Sequence, residues 1–231
     1  MLLKSKISPL GLFLDPELNK PYHEARLGKL TSSEWYHLMA KEGIGKGGYS
    51  YIYRKVGEAL SGRPAKDDVV VNATEHGLDY EREGLKKFGK QAGLKGAVLV
   101  QKLIIDDERC GGTPDGILIL NDSEDGLYHN VKTIEVKCPY SFDGYIRAWK
   151  CKTPADLKKE KPDWYWQVLH QMFICDCLQG YFVAYQPFFS KGGLNVIEFR
   201  KIDLVPEFKL IAERKQQAIS IFESTFKELT Q

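Results

Sequence analysis

Apolar residues repeat with two different periods along this chain, and the change of period divides it. In the middle, Ala97 to Ile105, Ile117 to Leu120 and Val131 to Lys137 are short runs rich in β-branched residues and bounded by Gly, Asp and Asn, which predicts three strands. Two more, Tyr181 to Gln186 and Leu194 to Arg200, flank a Ser190-Lys191-Gly192-Gly193 turn. Helical spacing governs the rest. Asn72 to Phe88 carries a stripe of Leu78, Leu85 and Phe88, and Trp164 to Leu178 reads as a helix capped by Asp163 and stopped by Gly180. Pro206 opens a long amphipathic helix through Ile211, Ala218, Phe222, Phe226 and Leu229. Near the start, Thr31-Ser32-Ser33-Glu34 has the form of a capping box for a short helix through Trp35, Leu38 and Met39. The Gly43-Ile44-Gly45-Lys46-Gly47-Gly48 stretch follows no strand and lacks the hydroxyl of a P-loop, so it reads as a loop. A second helix then runs through Tyr51, Val56 and Leu60 to Gly62.

Composition fixes the scale of the molecule. With 231 residues, 43% hydrophobic and 28% charged, one large domain is expected. Its N-terminal helical part covers about 20–65, its core about 72–202 and its last helix about 205–230. A net charge of +2 excludes a general polycation, so any nucleic-acid contact must come from a local patch. No apolar run is long enough for a signal peptide or a membrane span, and five cysteines without a C-x-x-C pattern suit reduced thiols. A cytoplasmic protein, or one in a host cell's cytoplasm, is the expectation.

The chemistry concentrates at two places. Thr113-Pro114-Asp115-Gly116 puts an acid at the mouth of the second strand, and Glu135-Val136-Lys137-Cys138-Pro139 ends the third. Side chains alternate along a strand, so Glu135 and Lys137 share a face while Val136 points the other way. If the intervening segment is a hairpin, Asp115 returns beside Glu135. Two carboxylates and an ammonium then converge, a set that suits Mg2+ and a hydrolytic water. Glu81 lies on the apolar stripe of its helix, flanked by Gly77 and Gly84. An acid there needs a partner, either a metal-bound water or Arg82 or a lysine at the helix edge.

The order helix, three strands, helix, strand, with these acids, resembles the PD-(D/E)xK nuclease core: α/β, a central mixed sheet flanked by helices, in a single domain. Within it, the chain resembles phage lambda exonuclease and its YqaJ-type viral recombinase relatives. Arg26-Leu27-Gly28-Lys29-Leu30-Thr31-Ser32-Ser33-Glu34 is similar to their R-L-G-x-x-T-A-S block. His76-Gly77-Leu78-Asp79-Tyr80-Glu81 is similar to the G-x-x-x-E helix, and Trp166-Gln167-Val168-Leu169-His170-Gln171-Met172 to the Q-V-Q helix. Thr113-Pro114-Asp115-Gly116 stands for S-P-D-G, and Glu135-Val136-Lys137-Cys138-Pro139 for E-L-K-C-P. Tyr22 replaces the usual Trp before the first block, and Asp143 stands where lambda exonuclease has an arginine linked to the 5′-phosphate; Arg147 or Lys150 could replace it.

The resemblance implies a metal-dependent exonuclease that degrades linear duplex DNA from the 5′ end and leaves a 3′ overhang for a single-strand annealing protein. Asp115, Glu135 and the Val136 carbonyl would hold Mg2+, with Mn2+ as substitute. Lys137 would serve the attacking water, and Glu81 and Gln167 would support metal waters or phosphate. On the same helix Gln171 reads as a surface position. Arg26, Ser33 and Thr113 are the implied 5′-phosphate residues. A homo-oligomer, in relatives a ring-shaped trimer around double-stranded DNA ends, is the implied assembly, with no membrane role. The alternatives are a Cas4-like or restriction-type nuclease on the same core and a catalytically silent DNA-binding module.

Overall fold

Two sequence motifs twenty positions apart are brought level by one antiparallel strand pair, and the fold is built around it. The computed structural model describes residues 24–65, 72–93, 97–100, 103–119, 121–122, 128–129 and 131–231. Along the chain run β1 (Leu30–Thr31), a 3-10 segment (Ser32–Leu38), α1 (Lys46–Ser61), α2 (Asn72–Gln91), β2 (Ala97–Val100), β3 (Ile104–Ile105), β4 (Cys110–Gly112) and β5 (Gly116–Ile119). There follow β6 (Asn121–Asp122), β7 (Tyr128–His129), β8 (Lys132–Lys137), α3 (Phe142–Lys150), α4 (Pro154–Glu160) and α5 (Pro162–Ile174). The chain closes with β9 (Gln179–Tyr185), β10 (Leu194–Arg200), a second 3-10 turn (Lys201–Leu204) and α6 (Val205–Thr230).

The central sheet has the order β10-β9-β8-β5-β2. Its β8–β9 pair is parallel and the others antiparallel, so the sheet is mixed as expected. Gly116 pairs with Ile134, which carries Asp115, one residue earlier, to the level of Glu135. A smaller sheet, β1-β4-β3, joins the 30s to the 110s. Alternation then sorts the β8 side chains. Ile134 and Val136, with Leu118, Val183 and Tyr185, are buried together with Phe88 of α2. The opposite face meets α5, where Ile117, Ile119, Phe182 and Ala184 join Val168, Leu169 and Met172 in the main core. Gly84 permits the α2 contact: a Cβ there would stand 2.9 Å from Val136 Cγ1 and 3.0 Å from Tyr185 Cβ. The space that Gly84 leaves on α2 is filled by the sheet itself.

Several expectations change. The capping box at Thr31 does not form; that segment is a 3-10 helix with no side-chain cap bond, its Glu34 paired instead with Arg54 on α1. Lys161, not Asp163, is the N-cap residue of α5, and Asp163 lies in the first turn. That helix ends at Ile174, before the left-handed Asp176 (φ 51°), so Gly180 belongs to β9. The run expected as one strand from Ala97 to Ile105 supplies two strands in different sheets. The charged, aromatic stretch after Tyr140 holds two short helices that its pattern did not announce. Thr153 and Asp156 build a capping box on α4, and Ser141 caps α3. Tyr22, Leu120 and the Leu78 side chain lie outside the description. Gly62, in contrast, ends α1 in the left-handed conformation as expected, at φ 63°.

Candidate active site

At the end of the β5–β8 pair the predicted charges do come together. Asp115 Oδ2 accepts the Val136 N–H at 2.7 Å, an edge bond that fixes the carboxylate beside the strand. Glu135 is 1% exposed and has every oxygen engaged. Lys137 Nζ stands 2.5 Å from its Oε1, which also accepts from Gln167 Nε2 at 2.5 Å, while Gln171 Nε2 donates to Oε2 at 2.6 Å. An ionised carboxylate at this depth is tolerable only with such donors and a counter-ion. Glu135 and Lys137 are thus on one face, as alternation requires, and Val136 is buried on the other.

Gln171 is the residue the sequence reading misplaced. It is wholly buried, and its Oε1 has no hydrogen-bond partner among the described residues. The reason is that α5 is enclosed nearly all round, from Tyr165 to Met172, between the sheet and the 3-10 segment. An apolar stripe therefore did not mark its only inward face. The available signal was a pair of glutamines one turn apart on an otherwise apolar helix, which points to a hidden charge on the neighbouring strand. His170, between them, is also fully buried. It stacks on Trp35 with ring centroids 3.6 Å apart, and its Nδ1 lies 2.8 Å from Ser32 Oγ. This contact ties the 3-10 segment to the helix that grips Glu135.

The carboxylates disturb one another. Burial, then Glu135 and Glu81, push the Asp115 carboxyl well above its ordinary range against the opposing pull of Lys137 and the Val136 N–H. Glu81 rises to about 7, chiefly by burial, with Lys137 opposing and Glu135 reinforcing the shift. Glu81 therefore belongs electrostatically to this cluster. Burial disfavours the Lys137 ammonium, yet Glu135 and Asp115 outweigh it and hold its pKa above the usual lysine value.

A raised carboxyl pKa has a definite sign in stability. Between the ordinary value of 4.5 and about 7 the folded chain keeps a proton on Glu81 that the unfolded chain releases. Stability from this group is therefore full at low pH and is lost as pH rises through that window. The metal-free protein is expected to lose thermal stability from pH ~5 to ~7.5, and Glu81→Gln to flatten that slope without abolishing it, because Asp115 acts in the same direction. Melting curves of both proteins in EDTA across that range check it; equal slopes would remove Glu81 from the cluster.

The implied phosphate residues are partly assembled. Parallel pairing of β1 with β4 sets Thr31 opposite Gly111, so Ser33 and Thr113 leave the same end of that pair. Gly112 allows this closeness, since a Cβ on it would fall 2.1 Å from Ser32 Oγ. Thr113 then leads through Pro114 to Asp115. Arg26 stands earlier, at the turn closed by Lys29 N–H to its carbonyl at 3.1 Å. Of the proposed substitutes for the missing arginine, Arg147 is committed to Asp143 at 3.0 Å and Glu160 at 3.4 Å, whereas Lys150 is exposed.

The donor set fits a hard divalent cation. Two carboxylates meet at one strand end, and the Lys137 ammonium already sits on Glu135 as a cation would. Among the described residues no group of three or more His, Cys, Asp or Glu is gathered closely enough to hold an ion alone. Mg2+ is content with one or two protein carboxylates, water and substrate oxygens. All five cysteines are buried, and among the described residues they do not gather into the ligand group that an iron–sulfur cluster would need.

The comparisons agree with this architecture. The YqaJ-like viral recombinase domain matches residues 21–178, so the chain belongs to that family. The fold is that of an alkaline exonuclease (LHK-Exo) from Laribacter hongkongensis, with a TM-score of 0.66 at 20% identity, covering 92% of this chain and 98% of that one. LHK-Exo in complex with dAMP gives 0.67 at 20% identity, covering 91% and 96%. A phage related exonuclease from Haemophilus somnus 129PT gives 0.63 at 15% identity, covering 87% and 96%. No curated protein matches in sequence. No helix of the described residues is long and apolar enough to cross a membrane.

Proposed function

We propose that this chain is a Mg2+-dependent exodeoxyribonuclease that degrades linear duplex DNA from the 5′ end and leaves a 3′ overhang for a strand-annealing protein. The observation that carries this reading is the convergence of Asp115, Glu135 and Lys137 at one strand end, with Glu81 coupled to them. Family membership and the exonuclease fold support it, as does the dAMP complex of LHK-Exo, a deoxynucleoside monophosphate of the kind that exonucleolysis releases.

Asp115 and Glu135, with the Val136 carbonyl, would hold the ion. When bound, it would polarise the scissile phosphate and lower the pKa of the attacking water. Lys137 orients that water. Its pKa is raised here because Glu135, Asp115 and Glu81 outweigh burial; engagement of those carboxylates by a cation would weaken that hold on its proton. Glu81 and Gln167 support the surrounding waters, and Gln167 and Gln171 together hold Glu135 in place. Arg26, Ser33 and Thr113 take the terminal phosphate, for which a guanidinium gives two parallel charge-assisted bonds. A ring-shaped homo-oligomer would let a chain of small net charge retain DNA within a channel. Digestion of duplex labelled at either end reads the polarity directly: loss of the 5′ label first is expected, and first loss from 3′ ends would reverse the assignment. On the same substrates Arg26→Ala should remove most of the preference for 5′-phosphorylated over 5′-hydroxyl ends while slowing hydroxyl ends much less. An unchanged ratio of initial rates would show that Arg26 does not read the phosphate.

A further inference from the structure

An aromatic ledge runs outward from the carboxylate cluster, and nothing in the mechanism uses it. It begins at Tyr80, next to Glu81, whose ring lies 5.9 Å from that of Phe188. Phe189 follows in the chain and packs against Phe142 and Tyr145, both at 5.3 Å. From Phe142 the ledge continues along α3 at helical spacing to Ile146 and Trp149. Gln186 Nε2 donates to the Pro139 carbonyl at 3.3 Å, which fastens this loop to the strand end that carries Lys137. Four of these side chains are left in solvent: Phe188 is 65% exposed, Phe142 54%, Ile146 43% and Trp149 40%. Tyr140, between Lys137 and Phe142, is 60% exposed. So large an uncovered apolar surface beside a polar centre marks a binding face.

We infer that this ledge stacks the bases of a single-stranded segment of nucleic acid leading to or from the Asp115–Glu135 centre. This inference rests on the reading of that centre as a nuclease. The side chains are mainly flat rings rather than the aliphatic groups of a helix-docking groove, and bases of any sequence stack on rings. Lysines border the rings at the α3 end. Lys152 lies over the Trp149 ring at 3.8 Å, Lys150 borders Ile146 one turn on, and Lys191 projects from the same loop as Phe188. Lys150 and Lys191 have no acidic partner among the described residues; of the acids along α3 and α4, Asp143 and Glu160 are engaged by Arg147 and Asp156 by the cap of α4. Rings interleaved with lysines match a base-and-phosphate ligand in both parts.

The test measures binding of a labelled oligothymidylate by anisotropy in EDTA, where nothing is cleaved, together with Mg2+-dependent digestion of duplex. Phe142→Ala and Trp149→Ala should each weaken oligothymidylate binding about tenfold, in the range expected for one stacked base. Phe142→Trp should retain affinity and Phe142→Leu should not, which separates stacking from general apolar contact. In the wild-type chain, photo-crosslinking of a bromodeoxyuridine oligonucleotide should label Phe142, Trp149 or Phe188. Affinities within twofold of wild type for the alanine variants would overturn the inference, as would crosslinks only elsewhere. So would a concentration-dependent self-association of the wild type that Phe142→Ala abolishes, because a second copy would then cover the ledge. If the wild type binds oligothymidylate as described but digests no DNA, it is the nuclease reading that fails.

Discussion

Lys137→Ala is expected to keep metal binding and to lose cleavage by a factor of about 10² to 10⁴, the usual worth of a positioned proton-transfer group. The structure says why the two effects separate. Lys137 contacts Glu135 Oε1 at 2.5 Å, but Gln167 and Gln171 also bond that carboxylate, so Glu135 remains in place when the lysine goes. The alanine variant removes a competing cation, and calorimetric Mn2+ titration should give an affinity equal to or tighter than that of wild type. What disappears is the half-buried nitrogen that, on the proposed mechanism, serves the attacking water. Cleavage within tenfold of wild type would take Lys137 out of the mechanism, and loss of Mn2+ binding would make it a structural counter-ion instead.

Asp115→Asn should have an equally large effect on rate with the opposite effect on stability. The amide oxygen can still accept the Val136 N–H that Asp115 accepts at 2.7 Å, so the strand end keeps its bond. The charge it removes is one that burial, Glu135 and Glu81 all disfavour. The metal-free variant should therefore melt above wild type at neutral pH, while Mn2+ affinity falls beyond the ~10–100-fold typical of outer-shell changes and cleavage is lost. Gain of stability with loss of function is the signature of a site held under electrostatic strain. A variant that binds Mn2+ normally would show that Asp115 is no ligand. Glu135→Ala offers no such clean comparison, because it leaves two buried glutamine amides and the half-buried Lys137 without their acceptor.

The strands that carry the candidate site were legible because period-two alternation sets both the burial and the facing of each residue. The alternation in Val131–Lys137 was enough to place Glu135 and Lys137 together and Val136 apart, while the return of Asp115 to them depended on the second and third strands pairing antiparallel, which they do. Glu81 stood out as an acid on an apolar seam, and burial of that seam is what raises its pKa. Helix ends were harder to read. Thr31 has the residue type of a cap, but the bonds went elsewhere: Glu34 turned to Arg54, and the Ser32 hydroxyl to His170 on α5. Gln171 escaped for a different reason. A stripe reveals one buried face, and α5 is buried on several, so the stripe hid its second glutamine and only the spacing of the two glutamines pointed to it. The helices α3 and α4 hide in a stretch whose lysines and aromatics obscure the helical period, although Thr153-Pro154-Ala155-Asp156 is a good start signal.

The metal-dependent nuclease centre is tested most directly by release of acid-soluble nucleotides from linear duplex DNA by the wild-type chain and by Asp115→Asn and Lys137→Ala, with Mg2+ or with EDTA, beside closed circular duplex. Wild type should degrade the linear substrate only with Mg2+, neither variant should do so, and the circle should stay intact. Equal degradation in EDTA, or by Asp115→Asn, would contradict a metal centre built on Asp115 and Glu135. Nicking of the circle would contradict an enzyme that starts from ends.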